Sequence, residues 1–356
     1  MISNKMDLTK VIRKNILALA PYSCARDEFK GEASVFIDAN ESPYENGVNR
    51  YPDPLQHEVK VLLAKLKKIR EEQIFLGNGS DEAIDLVYRI FCEPRIDNVV
   101  AIAPSYGMYK VCADVNDVEY RSASLTDDFQ LDLSAISSKV DDKTKVVWIC
   151  SPNNPSGNAF ALNELEDIVC QYRNLVVVVD EAYIDFSDKG TMLSILDKYD
   201  NLIVLQTFSK AWGQAAIRCG IAYASPEIIM YFNRVKYPYN INVLTQQAAI
   251  KALGQPQLHD RHVEEILSGR EIMRILLGSL PIVEHIYPSD ANFLLVRMKL
   301  EGMDAAQSAD YVYHYLQNKG IIVRNRTRVH LCQGCLRITV GTPEENSTLY
   351  ETLKTI

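Results

Sequence analysis

This sequence predicts an α/β fold with a mainly parallel central sheet in a large domain and a smaller α+β domain beside it. Three observations carry that expectation. Short apolar, β-branched runs at Asn98–Ala103, 146–150, 175–179 and 202–206 read as strands covered on both faces. Amphipathic stretches separate them, 81–91 and 162–172 among them, and such alternation builds a parallel sheet with helices on both sides. A chain of 356 residues with 47% hydrophobic content can bury that core and still carry a second unit.

Residues 1–30 read as an N-terminal arm, helix-capable over 11–20 and then turned at Pro21-Tyr22. Ile37-Asp38-Ala39-Asn40-Glu41-Ser42-Pro43 is a short extended piece running into a turn. Arg50-Tyr51-Pro52-Asp53-Pro54 is irregular and stiffened by two prolines. Helical periodicity with a charged face covers 55–68. The alternating elements complete a large domain over 31–255. After Gln255-Pro256 a charged helical stretch, through 262–277, leads away from the sheet. Residues 256–356, with the arm, make the small domain: strands near 283–287, 292–298, 321–324 and 336–340, and a helix over 305–319.

A net charge of -8 argues against a nucleic-acid surface, which needs a basic face, but leaves small anions admissible because a few pocket arginines reverse the field locally. Residues 1–14 lack the apolar core of a signal peptide, and no apolar stretch is long enough to span a bilayer. Eight cysteines, several in apolar patterns (Cys92, Cys150, Cys170), fit the buried reduced thiols of a cytoplasmic protein. Cys332-Gln333-Gly334-Cys335 has no second pair to make a zinc site, so a structural role is expected. The six histidines show no ligand spacing, and no metal is expected.

The chemistry begins where the strand runs end, because ligands of such sheets sit at the carboxyl ends of the strands. Asp180-Glu181-Ala182-Tyr183 follows Val176-Val177-Val178-Val179. Thr207-Phe208-Ser209-Lys210 closes the next run, and Arg218 follows Lys210 by two helical turns. An amine that condenses with an aldehyde, a carboxylate that holds a pyridinium proton, a phenol near a ring oxygen and a guanidinium for a phosphate are what pyridoxal phosphate needs. Taken singly, Asp180 reads equally well as a helix cap and Lys210 as an exposed strand-end lysine. The ordered set, with Ser151-Pro152-Asn153-Asn154-Pro155-Ser156-Gly157 upstream, is far harder to obtain by chance.

Asp180 would stabilise the protonated ring nitrogen, and Tyr183 would tune the ring hydroxyl, with Glu181 between them serving structure. Lys210 would hold the cofactor and, once displaced, move the proton from the substrate α-carbon to C4′. Gly77-Asn78-Gly79-Ser80-Asp81 opens a helix whose free N–H groups favour an anion. Ser209, Arg218 and Thr207 converge on the same phosphate. Tyr106 is placed to stack on the pyridine face, with Tyr109 as the alternative, and Asn154 to donate to the ring oxygen. Arg337 suits a bidentate grip on an α-carboxylate. Arg324 stands in a basic cluster with Arg326 and Arg328, of which the last two read as a solvated loop.

With these residues the chain resembles, over nearly its whole length, the fold-type-I pyridoxal-phosphate-dependent aminotransferases, and within them the histidinol-phosphate aminotransferase family. The generic signals are Asn153-Asn154-Pro155-Ser156-Gly157, Asp180-Glu181-Ala182-Tyr183 and Ser209-Lys210 with Arg218. The more specific ones are Pro21-Tyr22-Ser23-Cys24-Ala25-Arg26-Asp27-Glu28, Asp38-Ala39-Asn40-Glu41-Ser42-Pro43, Arg50-Tyr51-Pro52-Asp53 and Gly334-Cys335-Leu336-Arg337-Ile338-Thr339-Val340-Gly341. The resemblance implies a homodimer with active sites at the subunit interface, where Tyr51 reaches the cofactor phosphate of the other subunit. It implies that Tyr22 and Arg324 hold the substrate phosphate, and that Asn40 and Arg337 hold its carboxyl end. The implied reaction is ping-pong transamination of histidinol phosphate and 2-oxoglutarate to imidazole acetol phosphate and glutamate, in histidine biosynthesis. Gln214 and Ala216 stand where the family usually has Leu and Gly, and Ser156 replaces the commoner Thr. An aromatic amino-acid aminotransferase or a threonine-phosphate decarboxylase would share the cofactor apparatus. Tyr22, Asn40, Arg324 and Arg337 are the residues that separate them, and their motifs favour histidinol phosphate. A binding protein that kept only the fold is disfavoured by the joint presence of Lys210, Asp180 and Arg218.

Overall fold

The computed structural model describes residues 6–22, 25–29, 31 and 33–356; residues 1–5 of the arm and Ser23 and Cys24 of the first specific motif lie outside them. Seven strands build the large sheet: β1 (Ile74–Asn78), β2 (Asn98–Ala103), β3 (Glu119–Ser124), β4 (Thr144–Cys150), β5 (Val176–Asp180), β6 (Leu202–Thr207) and β7 (Cys219–Ala224). Their order is β1-β7-β6-β5-β4-β2-β3, parallel throughout except for β7, which runs antiparallel to both its neighbours. The four predicted strands are its centre. Along β5 the pleat sends Val177 and Val179 into one helix layer and Val176 and Val178 into the other. Each fully buried valine is worth roughly 1.5–3 kcal/mol, so the strand that ends in Asp180 is firmly held.

Three strands have no counterpart in the prediction. β3 (Glu-Tyr-Arg-Ser-Ala-Ser) is a half-solvated edge without an apolar run. β1 offers only three apolar residues before Gly77. β7 contains Gly220, where an added Cβ would fall 2.1 Å from Ser80 N, so glycine there records the close approach of the helix Gly79–Phe91.

The segment after β6 corrects a prediction. The strand ends at Thr207; Phe208, Ser209 and Lys210 turn, and Arg218 is reached through an irregular loop with one 3₁₀ turn, Ala215–Ile217, not through a helix. Phe208 N and Gln214 N fasten that loop, donating to Cys219 O (3.0 Å) and Phe208 O (2.9 Å).

The small unit is an antiparallel sheet of β8 (Val283–Ile286), β9 (Phe293–Met298), β10 (Arg324–Asn325) and β11 (Cys335–Thr339), ordered β10-β11-β9-β8. The strand expected at 321–324 shrinks to β10, because Ile321 and Val323 turn into the apolar cluster under the helix Ala305–Asn318. A helix over Pro256–Gly278 links the two units. Grouped with the small unit on sequence, the arm packs instead on the large one: Met6, Leu8, Val11, Ile12 and Ile16 join the cluster of Ile84, Val87 and Phe91. Its helix is one turn, Lys14–Leu17, beside a 3₁₀ turn at Leu8–Lys10. Cys170 is exposed, against expectation, while Cys92, Cys150, Cys332 and Cys335 are buried. Among the described residues no helix is long and apolar enough to cross a membrane.

Candidate active site

Because β4, β5 and β6 are parallel and in register, Cys150, Asp180 and Thr207 end on the same edge of the sheet. A cavity of about 340 Å³ opens there. Thirteen predicted residues line it: Gly79, Ser80, Asp81, Tyr106, Asn154, Asp180, Tyr183, Thr207, Ser209, Lys210, Arg218, Arg324 and Arg337. Cys150, Ala182 and Arg326 complete the wall. Five cations (Lys210, Arg218, Arg324, Arg326, Arg337) face two carboxylates (Asp81, Asp180), in a chain whose net charge is -8. The field of the cavity is reversed relative to the protein.

Asp180 is 2% exposed. Its Oδ2 accepts from Tyr109 Oη at 2.7 Å and its Oδ1 from Ala182 N at 3.0 Å. Burial pushes its carboxyl up to about 6, against the lowering pull of those two bonds and of Lys210. A cation beside it would bring the carboxylate back to full charge. Tyr109, considered on sequence only for stacking, is fully buried, its ring stacked on Trp148 with centroids 4.8 Å apart. Its role here is to hold Asp180. The only hint in the sequence was its place one helical turn after Tyr106. Glu181 accepts from Thr191 Oγ1 (2.6 Å), Met192 N (2.6 Å) and Gln206 Nε2 (2.9 Å), which suits the structural part expected of it.

Lys210 Nζ stands 5.4 Å from the centroid of the Tyr183 ring. Burial, then the charge of Arg337, lowers its pKa, which favours the neutral amine a nucleophile requires. Tyr183 packs edge-on against Phe293, 5.3 Å between centroids. Asn154 Nδ2 lies 3.5 Å from Tyr183 Oη, and its Oδ1 accepts from Arg337 Nη1. Arg337 also stands over the Phe293 ring, 5.2 Å from its centroid.

A phosphate cradle lies at the other end. Asn78 gives the helix Gly79–Phe91 no side-chain cap, and Gly79 N donates to Arg218 O at 2.9 Å, so the N–H groups that can meet an anion are those from Ser80 onward. Gly79 has φ +69°, and a Cβ there would sit 2.6 Å from Arg218 Nη2. Glycine is what lets the guanidinium close over the helix N-terminus. Asp81 orients the cradle, its Oδ2 3.5 Å from Arg218 Nη2 and its Oδ1 accepting from Tyr106 Oη at 3.1 Å. These donors, with Ser209 and Thr207, fit a phosphate monoester, and the buried Asp180 and the Lys210 amine fit the ring and aldehyde ends of pyridoxal phosphate.

Three predicted residues stand elsewhere. Tyr22 is 70% exposed. Asn40 and Tyr51 line a second cleft of about 430 Å³ with Asn242, Val243 and Leu244. Tyr51 stacks on Tyr239, 4.5 Å between centroids, and its N–H donates to Glu41 Oε1 at 2.6 Å. Arg26, first, and Arg50 hold the Glu41 carboxyl down at about 2, so this segment has a charged anchor of its own. One residue set aside on sequence belongs in the main cavity. Arg326 lines it, whereas Arg328 is exposed as expected. The missed signal was parity: Arg324 and Arg326 are two apart on an extended segment and share a side.

A lysine, a buried carboxylate and a glycine-based phosphate cradle at the carboxyl edge of a parallel sheet define a pyridoxal-phosphate-dependent transferase site. The chain belongs to the family of aminotransferase class I and II, whose pattern matches residues 27–353. The chain is 53% identical over 348 residues to the histidinol-phosphate aminotransferase of Parabacteroides distasonis, covering 98% of each. The histidinol-phosphate aminotransferase from Sinorhizobium meliloti, solved with pyridoxal-5'-phosphate, superposes with a TM-score of 0.78 at 23% identity over 86% of this chain and 82% of that one. An L-threonine-O-3-phosphate decarboxylase from Porphyromonas gingivalis superposes at 0.72 and 21% identity, over 86% and 90%. The fold is therefore common to more than one reaction.

Proposed function

We propose that this chain is a pyridoxal-phosphate-dependent transaminase that interconverts histidinol phosphate and 2-oxoglutarate with imidazole acetol phosphate and glutamate, in histidine biosynthesis. The convergence of Lys210 and Asp180 with four arginines in one cavity carries the reaction class. The whole-length likeness at 53% identity to a histidinol-phosphate aminotransferase supports this substrate over the runners-up.

When bound, the cofactor supplies an electron sink for the α-carbon of an amine substrate. The cradle of Gly79, Ser80, Ser209, Thr207 and Arg218 would hold its phosphate, and Tyr106 would stack on its ring. Asp180, fixed by Tyr109, keeps the ring nitrogen protonated. Lys210 would hold the aldehyde end of the cofactor, and its amine, with a lowered pKa, would take and return the proton at the substrate α-carbon. Tyr183 and Asn154, side by side at 3.5 Å, would hold the ring oxygen. Arg324 and Arg337 take the anionic end of the substrate: a phosphate in one half-reaction, a carboxylate in the other.

The second cleft supports a homodimer with shared sites. Val48, Tyr51 and Leu244, which line it, are 55, 51 and 61% exposed, and Ile37 and Tyr44 on the same chain segment are 92 and 81% exposed, an apolar concentration unusual for a free surface. A second copy seated there would cover it and bring Tyr51 to the other subunit's cofactor phosphate, and Tyr22 and Asn40 to its substrate. We place the domain boundary at 255/256 and the enzyme in the cytoplasm, where its buried thiols stay reduced.

Initial rates with both substrates varied test the shuttle. Parallel double-reciprocal lines are expected of a ping-pong enzyme; intersecting lines would contradict it. Arg337→Lys should lower kcat/KM in both half-reactions by roughly 10- to 100-fold, because a point charge cannot replace a planar fork. Slowing of one half-reaction alone would refute the dual role.

A further inference from the structure

We propose that Arg326 is the residue that selects a phosphate-bearing substrate over a carboxylate-bearing one; this rests on the substrate assigned above. The backbone places it there. Arg324 pairs with Arg337 across β10 and β11, and Arg326 N extends that ladder by donating to Cys335 O at 2.9 Å. Asn325, between the two arginines, leaves for the other side and bonds Asp310. Arg324 and Arg326 therefore share the side that lines the cavity, with Arg337 opposite.

Like charges directly opposite one another on a sheet destabilise it, and these three have no carboxylate in ion-pair contact among the described residues. Arg337 has Asn154 Oδ1 as acceptor. Arg326 has less: its Nε is buried with no acceptor at all. Leaving a buried donor of a charged group unpaired is costly, so an anion seated among the three would stabilise the arrangement. Burial first, and then the charges of Arg337 and Arg324, push the Arg326 guanidinium down to about 10, the direction set by a site short of negative charge.

The chemistry of the missing anion follows from the donor count. A carboxylate has two oxygens and one charge, which the planar fork of Arg337 satisfies alone. A phosphate monoester at neutral pH has three free oxygens and close to two charges, matching three converging guanidinium groups. Glutamate and 2-oxoglutarate carry a second carboxylate, but each of their carboxylates brings only two oxygens and one charge, so Arg326 adds more binding for the phosphate monoester than for either of them.

The test compares the holoenzyme with Arg326→Gln and Arg326→Lys in two single half-reactions, with histidinol phosphate and with glutamate. Propyl phosphate and butyrate serve as competitors of the glutamate half-reaction. For Arg326→Gln, the loss in kcat/KM for histidinol phosphate should exceed the loss for glutamate by about tenfold or more, the scale of one charged hydrogen bond. Propyl phosphate should weaken as a competitor by a similar factor, butyrate should weaken less, and Arg326→Lys should recover part of the difference. Equal losses in both half-reactions, with inhibition by propyl phosphate unchanged, would overturn the proposal and leave Arg326 a packing residue. If the wild type failed to convert histidinol phosphate yet propyl phosphate still bound through Arg326, the substrate assignment would fall and the anion site would stand.

Discussion

Lys210→Ala is expected to retain pyridoxal phosphate through the cradle around Arg218 and to lose multiple turnover. The amine does two things no neighbour can do. It stands in the cavity with its pKa lowered by burial and by Arg337, and among the lining residues it is the only amine. Tyr183, whose ring lies 5.4 Å from Nζ, is itself pushed far up by burial and cannot stand in as a base. Loss of a nucleophile that also transfers the proton typically removes on the order of 10⁴-fold or more of the rate. The measurement is turnover beside the visible absorbance of cofactor-loaded protein. Turnover near wild type would remove Lys210 from the chemistry.

Asp180→Asn is expected to lower kcat by about 10²- to 10³-fold, the usual cost of one preorganised electrostatic partner. The amide keeps the volume and the contact with Tyr109 but cannot hold a cationic ring nitrogen. The same change should stabilise the cofactor-free protein at neutral pH. In the fold the carboxyl is raised from 3.8 to about 6. The folded state thus holds this proton more tightly than the unfolded chain does. The resulting stability is fully present below pH 3.8 and is lost as pH rises through about 6. Asparagine is indifferent to that titration. The stability of cofactor-free Asp180→Asn relative to wild type should therefore rise between pH 4 and pH 7, by about 3 kcal/mol for a shift of about two pKa units. Urea unfolding of both proteins at fixed concentration checks the sign. With cofactor bound the order should reverse, since the ring cation restores the carboxylate. No pH-dependent gap in the cofactor-free state would mean that Asp180 is not held against its charge.

Where burial alone decides, the sequence was legible. β2, β4, β5 and β6 are apolar runs, and the residues at their carboxyl ends fall on the cavity because parallel strands must end together. Legibility failed where the shape depends on a distant neighbour. Gly220 marks β7 only because Ser80 lies against it. The loop from Phe208 to Arg218 looks helical in spacing, yet it is fixed by hydrogen bonds to Cys219 and within itself. Tyr109 could not be told from Tyr106 without the Trp148 ring that turns its hydroxyl to Asp180. Arg326 was misjudged because a run of charges usually means a solvated face, and only its pairing with Cys335 shows which side it takes. Tyr22, Asn40 and Tyr51 matched by motif, but none of them lines the cavity of Lys210: Asn40 and Tyr51 line a second cleft, and Tyr22 is exposed.

The most direct measurement of the central claim is a single half-reaction with yellow, aldehyde-loaded enzyme. Histidinol phosphate, phenylalanine and threonine phosphate are added separately, and loss of the visible band and release of carbon dioxide are followed. Rapid conversion to the aminated cofactor by histidinol phosphate, with the other two slow and no carbon dioxide released, is the predicted result. Faster conversion by phenylalanine, or carbon dioxide from threonine phosphate, would contradict it and leave only the fold and the cofactor standing.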